Sequence, residues 1–564
     1  FYSEGYFADY PPGYLPVLAL AAALRRLLGC GGESPAGRVL LALVPALGDC
    51  GVTGLVYALA RRRLGDGRTT LCLTLFTAFN PLLLFDTALW KQIDGAFVLP
   101  LLACFLLLER RRYLPAAALY GLALAIKPQA LLAGPVLAVC FLAGVADAWS
   151  AGPRARARAV GRCFGGAAAA LAVPLAFGLP FFGVSRLLPD LAEKYLTTAS
   201  GYPYASINAF NWLAALGGNW APLEATLGGF LSWGGLGTLH ILLLTAGLAA
   251  LAVLAWRADA RRADGAPRRF SPLLLAAFYT VGVFTLGHCM HERYLVPGVV
   301  LALAAAARWG DIRLYGAAFG LSLTGFVNLA AVYAQVGTDD EWLSAAASSL
   351  FVQVIGFAAT AAFVLLAFTV WTICKSGAVS PLPAGGGRRP RLDRAAVGAP
   401  APQPAWTRRE VFALLGLTAL TALLSFTYLG DLTAPQNPLD ATGDTLTETI
   451  TPAADTVELW LYPGISTGGS VTVTDAAGTL LYEKQLDQGT VFSWSRAVCQ
   501  IPAGTACTVT VSNAQVFELA LRDIDGGLVP LTGGGALTDE QAAVPAAISQ
   551  LNSMYFDEIY HGRT

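Results

Sequence analysis

Arg110-Arg-Arg-Tyr-Leu-Pro-Ala-Ala-Ala-Leu-Tyr-Gly-Leu-Ala-Leu-Ala-Ile-Lys-Pro-Gln129 runs from an arginine cluster through an uncharged apolar stretch to a lone cation in a turn. A second apolar run, 130–146, follows, and a further basic cluster extends from Arg154 to Arg162. A membrane-spanning helix needs about 20 apolar residues, and arginine-rich loops stay on the cytoplasmic side. The stretch therefore reads as a transmembrane hairpin with cytoplasmic ends, whose turn at Lys127-Pro128-Gln129 faces outward.

The rest of the chain repeats this pattern. Over 564 residues it is 55% hydrophobic and only 13% charged, with a mean hydropathy of +0.57, whereas soluble domains carry about 25% charged residues. The expected fold class is mainly α, a polytopic membrane protein of about twelve transmembrane helices with a small extracytoplasmic β-sandwich. The expected spans are 38–60, 70–86, 95–108, 114–126, 130–146, 163–183, 240–256, 271–287, 294–307, 313–335, 343–371 and 411–429. Basic clusters at Arg61 to Arg63, Arg110 to Arg112, Arg154 to Arg162, Arg257 to Arg269, Arg308 to Arg313 and Lys375 to Arg409 fall on every second connection. The alternate connections 86–94, 127–129, 184–239, 288–293 and 336–342, with everything after 430, are then extracytoplasmic. A formal net charge of zero and this segregation give no reason to expect a nucleic-acid partner.

The opening loop, 1–14, belongs to the outer face if the run from Tyr14 to Leu28 lies in the interface, with Arg25 and Arg26 reaching the headgroups. Glu4 and Asp9 stand there among aromatics, and Pro11-Pro12 stiffens the start of the following helix. Asp9 would carry chemistry from that mount or simply cap the helix.

The chain divides into a multi-span module at 1–374, a disordered, Pro/Gly/Arg-rich cytoplasmic linker at 375–410, a single span at 411–429, a strand-rich region at 431–532 and a tail at 533–564. The strand-rich region alternates with period two, as in Val471-Thr-Val-Thr474 and Val509-Thr-Val511, which predicts short antiparallel strands. Trp460, Tyr462 and Trp494 are either core aromatics or platforms for carbohydrate, and Cys499 with Cys507 would form a disulfide on an oxidising face.

The outer connections hold acids, amides, histidines and single cations. In 86–94, Asp86, Lys91, Gln92 and Asp94 sit beside the bilayer, where ionisable groups are expensive and so functional or paired; a Lys91 ion pair with either acid is the plain reading. Lys127 suits a phosphate as a point charge or marks the membrane boundary. His288 and His291 with Glu292 invite a metal, but their spacing is not the i, i+4 pair of a helical zinc site. Arg293 and His291 as donors to an anionic substrate fit better.

Asp9-Tyr10-Pro11-Pro12-Gly13-Tyr14, Trp90-Lys91-Gln92-Ile93-Asp94, Lys127-Pro128-Gln129 and His291-Glu292-Arg293-Tyr294 resemble, in this order, motifs of the C superfamily of glycosyltransferases. Within it, residues 1–375 are most similar to the bacterial family that resembles the mannosyltransferases of glycosylphosphatidylinositol synthesis. The resemblance implies a plasma-membrane enzyme that moves a sugar, mannose by analogy, from a polyprenyl-phosphate donor to a hydroxyl of a glycan, lipid or protein, with inversion. Asp9 is then the catalytic base and Lys127, Arg293 and His291 the phosphate clamp; Glu4, Tyr10, Lys91, Gln92, Asp94, Gln129, His288 and Glu292 line the substrate site, and no metal or other cofactor is assigned. Lys91 departs from the glycine usual in that motif.

The tail Met554-Tyr-Phe-Asp-Glu-Ile-Tyr-His-Gly-Arg-Thr564 resembles the first outer loop of protein O-mannosyltransferase-type enzymes, with Asp557 and Glu558 as its acidic pair. The expectation is a second module beginning there and, because the chain opens on Phe1, a segment preceding the first loop. A transporter or flippase of a lipid-linked sugar is the competing reading, since buried charges in a polytopic protein also serve transport.

Overall fold

The computed structural model describes residues 11–29, 35–90, 92–149, 151–200, 202–261, 268–335, 350–382, 445–485, 488–490, 495–523 and 529. The opening acids Glu4 and Asp9, Tyr10, Lys91, the expected span 411–429 and the pair Asp557 and Glu558 lie outside the described residues. The chain forms two compact units, one made of residues 9–20 and 39–428, the other of residues 1–8, 21–38 and 429–564.

The larger unit is helical, and its first two helices also include residues 21–27 and 35–38, which belong to the other unit. A 3₁₀ turn, Pro12–Tyr14, leads into α1 (Leu15–Leu27), followed by α2 (Pro35–Leu64), α3 (Arg68–Ala78) and α4 (Pro81–Leu84). Asn80 caps α4 by accepting from the Leu82 N–H. α4 passes into a π-helical turn, Phe85–Leu89. Next come α5 (Asp94–Glu109), α6 (Tyr113–Ile126), a 3₁₀ turn Pro128–Ala133, α7 (Gly134–Trp149) and α8 (Pro153–Ser200), which is kinked at Gly183. A connection with β1 (Ser206–Ile207), α9 (Trp212–Ala215), β2 (Thr226–Leu227) and β3 (Leu231–Ser232) precedes α10 (Trp233–Ala260) and α11 (Pro272–Leu286). β4 (Met290–His291) and a 3₁₀ turn, Glu292–Leu295, open the last helices: α12 (Val296–Trp309), α13 (Ile312–Gln335) and α14 (Leu350–Ser376).

Among the described residues, seven helical segments are long and apolar enough to cross a membrane: Ala42–Leu64, Arg68–Leu89, Pro128–Trp149, Pro153–Leu196, Trp233–Ala260, Ile312–Tyr333 and Leu350–Ser376. Four further expected spans fall on α5, α6, α11 and α12, which have 16, 14, 15 and 14 residues. At 1.5 Å per residue these reach only about 21 to 24 Å. Their hydropathy has a second source: α11 and α12 are buried on nearly every side, and a helix apolar all round can be apolar because it is enclosed by protein.

Contacts join the basic loops to one another. Arg63 donates to the Trp309 carbonyl, Arg111 pairs with Asp147, Arg269 donates to the Lys375 carbonyl and Arg313 to that of Ala378. The start of the expected linker is thus held: Asp311, fully buried, accepts from Arg313 and from the Ser380 N–H, and its backbone bridges Pro381. The acid- and amide-bearing connections are joined likewise. β1 pairs parallel with β4, placing Ile207 opposite His291. Asn328 on α13 donates to the Asn208 carbonyl at 2.7 Å and accepts from the Phe210 N–H. Asn211 donates to the carbonyls of Phe284 and Gly287. These buried amides satisfy backbone groups that an irregular connection cannot pair by itself.

In the smaller unit, six antiparallel strands form one sheet: β5 (Thr445–Ile450), β6 (Thr456–Asp475), β7 (Leu480–Gln485), β8 (Gln488–Thr490), β9 (Ser495–Ile501) and β10 (Cys507–Arg522). The order is β5-β10-β6-β7, with β8 and β9 also on β6. Cys507, Val509 and Val511 are buried against Val471 and Val473 while the threonines between them are half-buried, which is the expected period of two. Bulges interrupt the β6–β10 ladder between Ser512 and Glu518. Cys507 is a free thiol in this core, so the expected disulfide with Cys499 is not formed. The side chains of Trp460, Tyr462, Trp494 and Cys499 lie outside the described residues.

Candidate functional site

The turn after α6 brings Lys127 inward. Its ammonium donates to both oxygens of Asp94, at 2.8 Å each, and the two side chains are buried. Asp94, one of the two acids expected to pair with Lys91, thus holds Lys127, while Lys91 itself lies outside the described residues. Nor does Lys127 mark a membrane surface, because it is only 3% exposed and lies 5.5 Å from the Phe97 ring centre. Asp94 is the first residue of α5, where the partial positive charge of the helix end also favours a carboxylate.

α2 supplies a third acid. A Cβ on Gly48 would lie 2.2 Å from the Gly95 carbonyl oxygen, so only glycine allows α2 and α5 to meet there. That contact sets Asp49 against the π-turn, where it accepts from the Thr87 hydroxyl at 2.6 Å. Asp49 was absent from the sequence-based candidates, although an acid inside the apolar run 38–60 was itself a signal. Asp86, on the same turn, is 1% exposed and interacts electrostatically with Asp94, Lys127, Asp49 and Arg293. Gln92 is fully buried and its N–H donates to the Asp86 carbonyl.

The 288–294 connection adds the second cation. Arg293 pairs with Glu292 at 2.9 Å, both largely buried. Gln129 donates to the Tyr294 carbonyl at 3.2 Å, tying the Lys127 turn to this loop. The ring of His291 packs against Tyr202, with centroids 4.9 Å apart. Burial, and then the charges of Arg293 and Lys127, hold the imidazole well below its usual pKa. His291 is therefore neutral near pH 7 and offers one N–H rather than a charge. His288 turns elsewhere, its Nδ1 3.0 Å from Cys289 Sγ and its Nε2 3.4 Å from Thr238 Oγ1.

The opening loop approaches through its described end. A Cβ on Gly13 would lie 2.4 Å from the carbonyl oxygen of Ala125, two residues before Lys127. Tyr14, beside it, is buried, and burial raises its phenol pKa. Asp94, Lys127, Gln129, His291, Glu292 and Arg293 thus gather in one neighbourhood with Asp86 and Asp49, while His288 stands apart.

Among the described residues, no group of three or more His, Cys, Asp or Glu is arranged to hold a metal ion. The sequence matches no family model and no curated protein.

Proposed function

We propose that the protein is a membrane glycosyltransferase that moves a sugar, mannose by analogy, from a polyprenyl-phosphate donor to a hydroxyl acceptor at the extracytoplasmic face, with inversion. The observation that supports this reading most is the convergence of Asp86, Asp94, Lys127, His291 and Arg293, from separate connections that carry no arginine cluster, into one buried charged neighbourhood. Burying charges costs several kcal/mol per ion before pairing offsets it, and ionisable groups at membrane depth are most often functional.

In this reading the acceptor hydroxyl, a poor nucleophile near neutral pH, loses its proton to the opening-loop carboxylate Asp9 as it attacks the anomeric carbon. Lys127 and Arg293 stabilise the departing phosphate, and neutral His291 donates a hydrogen bond to it. Both cations already hold carboxylates, Asp94 and Glu292, so the phosphate shares or displaces an existing partner. Twelve spans, a sandwich built from the six-stranded sheet, a plasma-membrane location and an outward-facing site belong to the same reading.

The test is release of polyprenyl phosphate from radiolabelled polyprenyl-phosphate mannose by purified protein supplied with soluble and lipid hydroxyl acceptors. Label transferred to an acceptor supports the proposal. Intact donor moved across a vesicle without cleavage indicates a transporter, and the absence of both transfer and transport counts against the proposal.

A further inference from the structure

Asp86 is the acid of the cluster that structure alone does not explain. Asp94 is held by Lys127, Glu292 by Arg293 and Asp49 by Thr87. Both Asp86 carboxylate oxygens are buried and meet no hydrogen-bond partner among the described residues. The residue sits on a π-turn, an irregularity found frequently at functional sites. Leaving a buried polar group unsatisfied costs stability, so such a group persists where function uses it.

Two further buried polar atoms on the segments around Lys127, whose charge Asp86 feels, have no partner among the described residues, Gln129 Oε1 and the Tyr14 hydroxyl. Gln129 is fixed by its amide N–H on Tyr294, two residues from Lys127, and Tyr14 follows the glycine seated on Ala125. Two carboxylate oxygens and an amide oxygen accept, and a phenol donates. A phosphate brings chiefly acceptors and negative charge, which this set repels. A group with adjacent hydroxyls brings donors and acceptors together and matches it.

We infer that Asp86, with Gln129 and Tyr14, binds the hydroxyl groups of the donor's sugar, while Lys127 and Arg293 serve its phosphate. This rests on the glycosyl-donor reading above and divides that site into a sugar part and a phosphate part.

The test uses the purified full chain, Asp86→Asn and Asp86→Leu variants, and polyprenyl-phosphate mannose with its single-deoxy counterparts as probes. Melting temperature and donor affinity are both read. The expected result is that Asp86→Leu melts no lower than the wild type, while both variants bind the donor about tenfold or more weakly, as loss of a buried hydrogen bond implies. That loss should shrink for the deoxy donor lacking the contacted hydroxyl. A fall of several degrees in the Asp86→Leu melting temperature makes Asp86 structural and overturns the inference. Unchanged affinity, or an equal loss for every deoxy donor, overturns it as well. Failure of the wild type to bind any of these donors contradicts the donor reading itself, and this inference with it.

Discussion

Lys127 reaches across 33 residues of sequence to donate to both oxygens of Asp94, at 2.8 Å each, with both side chains buried. Breaking a buried pair from one side strands the other charge, at a cost of about 3 to 5 kcal/mol. Lys127→Gln and Asp94→Asn should therefore each lower the melting temperature sharply, and the double variant should recover much of that loss. Melting of the four proteins in one detergent gives the coupling. Losses that simply add would mean that the pair contributes little to the fold.

The same lysine is proposed to meet the donor phosphate. In the Asp94→Asn, Lys127→Gln background, where stability is partly restored, donor binding should remain about tenfold to a hundredfold weaker than in the wild type. Wild-type affinity in that background would leave Lys127 a structural role only.

Gly13 tests whether the seat of the opening loop matters. Its ideal Cβ would fall 2.4 Å from a backbone oxygen and 2.8 Å from the Ala125 Cβ, and neither a carbonyl nor a helix backbone yields cheaply. Gly13→Ala should displace the Pro12–Tyr14 turn and lower transfer by about a hundredfold, the scale of a misplacement near 1 Å. Limited proteolysis should show faster cleavage near residue 10 in the variant. Unaltered turnover and cleavage would mean that the loop is positioned by something else.

His291 gives a pH signature. Its folded pKa is depressed well below the unfolded value, by burial first and then by Arg293 and Lys127. Below about pH 6.5 the unfolded chain takes up a proton that the folded protein refuses, so stability falls as the pH drops, by about 1.4 kcal/mol per pH unit from this group. Above that pH it contributes no slope. Between pH 7 and pH 5 the wild type should lose more melting temperature than His291→Gln. Parallel curves would mean that the imidazole is not buried as a neutral group.

The helices at 113–126 and 134–149 and the turn between them at Pro128–Ala133 were legible because they rest on local composition. Which expected spans form helices of full length, seven among the described residues, was not legible, since a helix enclosed by protein and one facing lipid are equally apolar in sequence; α12 makes the point, with Val299, Leu301 and Ala304 buried among neighbours. The candidate residues of 127–129 and 291–294 were visible as charges stranded in apolar context. Their partners were not, because the Asp94 pair and the Gln129 to Tyr294 bond, which spans 165 residues, are properties of the folded chain. The π-turn that strands Asp86 leaves no local signature in Phe85-Asp-Thr-Ala-Leu89.

The most direct measurement of the central claim is single-turnover transfer of radiolabelled mannose from polyprenyl phosphate to a hydroxyl acceptor by purified wild type and Asp9→Asn. The account predicts transfer with inversion by the wild type. For the variant it predicts a rate lower by about 10² to 10⁴-fold, the contribution of a positioned general base, with donor affinity maintained. No transfer by the wild type, or an Asp9→Asn rate equal to it, would contradict the account.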